Sequence, residues 1–318
     1  MKKILLTALA IASMVGAMAQ NKLSVPMGIY IDEGASCVPE YAQSVLENKM
    51  KQIVSVNGVG SSDNSQFFIT CFVNDLNKHV LGGAPIKHVL KSEITFYIAD
   101  AQNQRIYETV TFTSEGIGNS ENEAYLNIFK QIDVRSSNIT KFVAQANRKI
   151  LDYYESQINF ISAEAESLAK LGQFDAAYYL LSCVPKECEN YDVIELTVLN
   201  VYQMQIDEAS LKALQRAKAA WASGHNPECA LEAASHLAEV SYYSSCYCDA
   251  DALANEIKAF AIEEHFYNRE QLEKHFDWMR NHEDKKLDAW RDVGVAYGRN
   301  QQPTCYRVWW QQQQVLTH

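Results

Sequence analysis

Apolar and polar positions follow two different periods along this chain. From Leu23 to about Asp133 the pattern is mixed. The stretch "LSVPMGIYI" (23–31) predicts a strand, and Ser36-Cys-Val-Pro39 starts a helix that carries Val38, Tyr41, Ala42, Val45, Leu46, Met50 and Ile53 at close to helical spacing. Three segments rich in β-branched and aromatic residues follow, at 65–76, 87–100 and 105–116, separated by Gly82-Gly83 and by Asp100-Ala-Gln-Asn103. Their short connections predict an antiparallel meander. Ser120, with Glu123 three residues on, is a capping box that opens a helix showing Ala124, Ile128, Phe129 and Ile132 to the sheet. Gly116-x-Gly118, just before it, is a turn into a capped helix rather than a nucleotide loop. It has no third glycine and no lysine, and the strand before it belongs to a meander.

Beyond Asp133 the strand signals stop and the period becomes helical, with few Gly or Pro interruptions as far as Gly298. After Pro303 the tail "TCYRVWWQQQQVLTH" differs in kind and reads as an extended segment. The expected fold class is therefore α+β. Its parts are an α/β domain with a mostly antiparallel sheet over 20–150, helical hairpins over 151–298 and an aromatic, Gln-rich tail over 299–318.

Two resemblances accompany this reading. The string "SEITFYIADAQNQRIYETVTFTSEGIGNSENEAYLNIFKQI" resembles the periplasmic α/β domains around the curli secretion channel protein CsgG and the N-terminal domain of TolB. That resemblance covers roughly residues 23–150 and implies an envelope protein whose α/β domain makes protein contacts. The family's lipidated cysteine and membrane-inserting hairpins are not evident, so pore formation does not carry over. Gly172-Gln-Phe174-Asp-Ala-Ala177 resembles the turn and second-helix start of a tetratricopeptide-type repeat. A shift of 56 residues sets Ala177, Leu181 and Val184 on Ala233, Leu237 and Val240, which implies stacked helical hairpins.

The first nineteen residues add a compartment. Two lysines, a short apolar run and Ala17-Met-Ala19 form the pattern of a signal peptide (1–19) cleaved before Gln20. The run is too short for a stable membrane span. Loss of this leader, with its two lysines and no acid, would take the net charge from −11 to −13. Such a charge argues against nucleic acid and anionic membrane surfaces as general partners. All eight cysteines follow the leader, and an even count in an oxidising compartment points to disulfides. Cys183 and Cys188, in "CVPKEC", are the easiest pair because they close a short inter-helix turn. Cys246 and Cys248 are too close in sequence to pair with each other without strain, and Cys305 is the distant candidate for one of them. Cys37 and Cys71 form a further candidate pair.

Chemistry is sparse. There is no G-x-S-x-G elbow, H-E-x-x-H or Walker loop, and the C-x-C of "SSCYCDA" lacks the companion ligands of a zinc site. His79 and His88 flank the Gly82-Gly83 turn, where they could face each other across a hairpin. No cofactor, metal or catalytic residue is expected. The expected role is non-enzymatic, mediating protein–protein contact or assembly with a partner in the cell envelope, periplasmic or outer-membrane-associated. The alternative is a small-molecule or glycan module built on Trp309, Trp310 and the tyrosine-rich helical face.

Overall fold

A computed structural model of the chain describes residues 24–31, 38–59, 65–263, 269–279 and 285–300. The described residues are mixed α+β, a four-stranded sheet with nine helices. Two compact units divide the chain within one long helix, the first comprising described residues up to 156 with 185–189, the second 157–184 with 190–300.

In the first unit the order is β1 (Met27–Ile29), α1 (Glu40–Val56), β2 (Phe67–Leu81), β3 (Lys87–Asp100), β4 (Arg105–Gly118), α2 (Glu121–Lys130) and the start of α3 (Ser137–Lys170). The strands lie in sequence order, with β1 parallel to β2 and the rest antiparallel, which is the expected strand–helix–meander–helix. Helix α1 buries Ala42, Leu46, Met50, Ile53 and Val54, one stripe at helical spacing. Helix α2 buries Ala124, Tyr125, Ile128 and Phe129. The strands meet them with Ile69, Ile94, Phe96 and Ile98, all fully buried. The Ser120 cap forms as its sequence implies, the hydroxyl accepting from Glu123 N at 3.2 Å. Glu123 reaches one residue further back than a standard capping box, accepting from Asn119 N at 2.7 Å.

Two polar clusters, one half-buried and one buried, fix this unit. Asp75, at a β-bulge, accepts from Ser92 Oγ at 2.7 Å and from the Tyr125 hydroxyl, joining β2, β3 and α2. Asp100, fully buried, accepts from Gln102 N at 2.8 Å, Tyr154 Oη at 2.8 Å, Asn103 Nδ2 at 2.9 Å and Gln66 Nε2 at 3.1 Å. It thereby ties the β3–β4 turn to α3, and no buried carboxylate oxygen there is left bare. Gly116 and Gly118 have a packing role. A Cβ on Gly116 would stand 2.1 Å from Ala124 O, so glycine alone admits α2 to this depth.

The second unit holds the rest of α3, then α4 (Phe174–Ser182), α5 (Tyr191–Ala222), α6 (Pro227–Leu237), α7 (Tyr247–Glu263), α8 (Arg269–Met279) and α9 (Lys285–Asn300). Gly172, at φ +73°, closes α3, with Gln173 N donating to Leu168 O at 3.0 Å. Asn226 caps α6 with its side chain accepting from Cys229 N, and Pro227 takes the first turn. The two triads separated by 56 residues are all buried, none more than 3% exposed. Small alanines at 213, 217, 230, 233 and 234 let α5 and α6 approach closely, and Trp221 and Phe276 fill the same cluster.

Candidate functional site

A groove of about 640 Å³ runs along α3 within the first unit. One wall is a face of that helix, with Lys141, Gln145, Arg148 and Asp152 spaced three or four residues apart and Ala144 and Leu151 between them. From Lys141 to Glu155 this wall is about 21 Å long at the helical rise. The other wall is the segment Glu187-Cys188-Glu189, from the turn between α4 and α5. The helix forms because 137–170 carries an amphipathic stripe, with Ile139, Phe142, Val143, Ala146 and Ile150 buried beneath it. The groove residues are the polar flank of that stripe.

The electrostatics are mixed, with acid in excess. Asp152, Glu155, Glu187 and Glu189 face Lys141 and Arg148, and Arg148 Nε lies 3.6 Å from Asp152 Oδ2. The Cys188 thiol is pushed up to about 12, first by burial and then by the charges of Glu155 and Glu187. It stays protonated at physiological pH and is a poor nucleophile. The site therefore offers an elongated trough with charges of both signs along its length.

The residues singled out in the sequence are scattered. None of Cys71, Cys183, Cys188, Cys229, Cys246 and Cys248 is in a disulfide in this structure, so Cys183 and Cys188 are unbridged. Cys183 Sγ donates to Tyr179 O at 3.3 Å. Cys71 sits in β2, and burial pushes its thiol up to about 12. Cys246 packs against the α5–α6 cluster, whereas Cys248 is exposed on the first turn of α7. Cys37, Cys305, Trp309 and Trp310 lie outside the described residues. The two histidines do not face each other. The hairpin register sets His79 opposite Val89 and His88 opposite Val80, so they project from opposite faces of the sheet. No group of three metal-ligating side chains occurs among the described residues. The groove itself was not anticipated, because its walls lie some forty residues apart in sequence.

No family model matches the chain, and no curated protein matches it. Among solved structures, a 2.35 Å crystal structure of a minor lipoprotein from Acinetobacter baumannii is similar over 40% of this chain and 92% of that one. The identity is 23% and the TM-score 0.24, a level of likeness that bears on neither fold nor role.

Proposed function

We propose that this is an exported, non-enzymatic protein of the cell envelope that mediates protein–protein contact, holding an extended segment of its partner along α3. The groove supports this reading most directly. A trough about 21 Å long, open and lined by charges of both signs, suits a polypeptide stretch better than a compact small molecule. The suppressed Cys188 nucleophile speaks against thiol catalysis in it. The leader pattern of residues 1–19 supports export. Among the described residues no helix is long and apolar enough to cross a membrane. In this reading the second unit supplies tetratricopeptide-like hairpins as a further contact surface, and Cys183–Cys188 closes as a disulfide after export.

The test is photo-crosslinking in intact cells, with the photoreactive residue at Gln145 or Glu187 and a control at Lys212 on α5. The expected result is one discrete protein adduct from both groove positions and none from the control, abolished by Leu151→Arg. Adducts that are equally strong at Lys212, or an absence of adducts at both groove positions, would refute the proposal. Sequencing the N-terminus of the cell-purified protein tests export, with Gln20 as the expected first residue.

A further inference from the structure

Helix α9 packs on α4 and α5 rather than on α8, the helix that precedes it in sequence. It buries Ala289, Val293 and Ala296, a stripe at i, i+4 and i+7. These side chains are small, so the apolar area that seats the helix is modest. Trp290 adds a stacked contact with Tyr191, the ring centroids 6.4 Å apart. Cations tie both ends. Lys285 donates to Gln203 Oε1, and Lys286 lies 3.8 Å from Glu195. At the far end Arg299 reaches Asp175 at 2.8 Å. Ion pairs as exposed as these contribute little to stability.

The helix is also weak in itself. Gly294 and Gly298 stand inside it, and no other helix among the described residues contains a glycine. A Cβ on either would meet nothing within 4 Å. Packing therefore does not require them, unlike Gly116, and each makes the helix about fivefold harder to form than alanine would. Asp292 is half-buried against the same neighbours, with Asp288 and Asp175 adding like charge. Modest seating, two glycines that packing does not need and a desolvated acid all ease release of α9 without unfolding the rest.

We propose that α9 is a releasable strap, and that the α4–α5 face beneath it seats a basic amphipathic helix of a partner protein. The strap itself displays the chemistry such a helix needs, with small apolar residues at i, i+4 and i+7 and a cation near each end. Residues 285–300 hold Lys285, Lys286, Arg291 and Arg299 against Asp288 and Asp292, in a chain of net charge −11. The seat answers with Glu195 near one end and Asp175 near the other. A second copy of this chain is the less suited occupant, because two molecules carrying −11 each repel one another. Strap and partner helix then compete for one seat, and a weak strap leaves the seat open for a larger fraction of the time. The proposal rests on the reading of the second unit as a contact surface and locates that surface. It is independent of the groove on α3.

The experiment uses a fluorescent peptide of residues 285–300, titrated with the full chain and read by anisotropy. Saturable binding is expected, lost when the peptide carries Val293→Asp. In the full chain, Gly294→Ala with Gly298→Ala strengthens the strap and should weaken peptide capture about tenfold or more. Val293→Asp in the full chain frees the seat and should strengthen capture by a similar factor. Should that variant misfold, hydrogen exchange of 285–300 in the parent gives a second reading. It should run faster than that of 191–222 and slow about tenfold in the double alanine variant. Peptide that binds neither the parent nor the Val293→Asp chain overturns the proposal, as does equal capture by the double alanine variant and the parent. Exchange of 285–300 only together with 191–222 also overturns it. Dimerisation of the parent that the peptide reverses rejects the partner protein in favour of a second copy. A photoreactive residue at Tyr242 that captures a protein in cells, while the peptide binds nowhere, keeps the second unit as a contact surface and removes this seat. Crosslinking from Gln145 and Glu187 decides the α3 groove separately.

Discussion

Replacing Gly116 by alanine tests how the sheet unit is assembled. The added Cβ would stand 2.1 Å from Ala124 O and 2.7 Å from Ile128 Cγ1, whereas real Cβ atoms essentially never come within 3.0 Å of a neighbour. The nearest obstacle is helix backbone, which cannot rotate out of the way as a flexible side chain can. Helix α2 must therefore lift from β4, and it carries Ala124, Tyr125, Ile128 and Phe129, each fully buried. Overpacking of a core usually costs about 1–3 kcal/mol. Lifting α2 also loosens the bond from the Tyr125 hydroxyl to Asp75, and hydrogen bonds to charged groups are worth about 1.5–3 kcal/mol. A partial loss of the second added to the first gives about 2–4 kcal/mol, a thirtyfold or greater rise in the opening constant. Gly82→Ala is the control, because nothing lies within 4 Å of its Cβ, and its expected cost is below about 0.5 kcal/mol. Hydrogen exchange along a urea gradient, read on peptides from 105–130, measures both while leaving the helical unit as an internal reference. If Gly116→Ala matches Gly82→Ala, the close approach of α2 to β4 is wrong.

Other substitutions probe the polar interior and the thiols. Tyr154→Phe removes a donor from buried Asp100 and should cost about 1–3 kcal/mol in chemical denaturation. Tyr107→Phe, which deletes a buried hydroxyl without a described partner, should be neutral or mildly stabilising; a loss as large as that of Tyr154→Phe would contradict the assignment. With reductant present, alkylation at mildly alkaline pH should modify exposed Cys248 first and spare Cys71 and Cys188, whose thiols burial raises to about 12. Non-reducing peptide mapping of protein purified from cells separately decides the Cys183–Cys188 disulfide. Asp292 on α9 has its carboxyl raised above 3.8, chiefly by burial, with Arg291 and Gln205 opposing and Asp288 and Asp175 adding. An acid raised in the folded state holds its proton more readily there than when unfolded. Its contribution favours folding as pH falls through the raised value and is complete below 3.8, so the ionised form costs stability at neutral pH. Asp292→Asn should therefore stabilise the helical unit at neutral pH, with a gain that fades on acidification; a gain independent of pH would rule this out.

The elements that read correctly from sequence are those whose burial is one-sided. Helices α1 and α2 bury stripes at a period of 3.6, and β3 alternates between buried Ile94, Phe96, Ile98 and half-buried Thr95, Tyr97, so both patterns are written in the order of residues. Strand β2 reads only to residue 76 because beyond Asp75 both of its faces are exposed. Without a buried face there is no alternation to detect, and "LNKHVLGG" looks like a loop although it is paired through to Leu81. The groove escaped for a different reason. Lys141, Arg148 and Asp152 are ordinary exposed positions of an amphipathic helix, and only tertiary structure brings Glu187 and Glu189 against them. "CVPKEC" drew attention for its cysteines, but the side chains it contributes to the groove include the two acids between and beside them. Gly116-x-Gly118 shows the converse. Its local sequence allowed a ligand loop or a turn, and the depth of α2 against β4 gives the glycines a packing reason that requires no ligand. The same standard applied to the hairpin end gives the opposite answer. Leu81 and Ile86 are apolar and exposed, and among the described residues nothing gives them a packing reason.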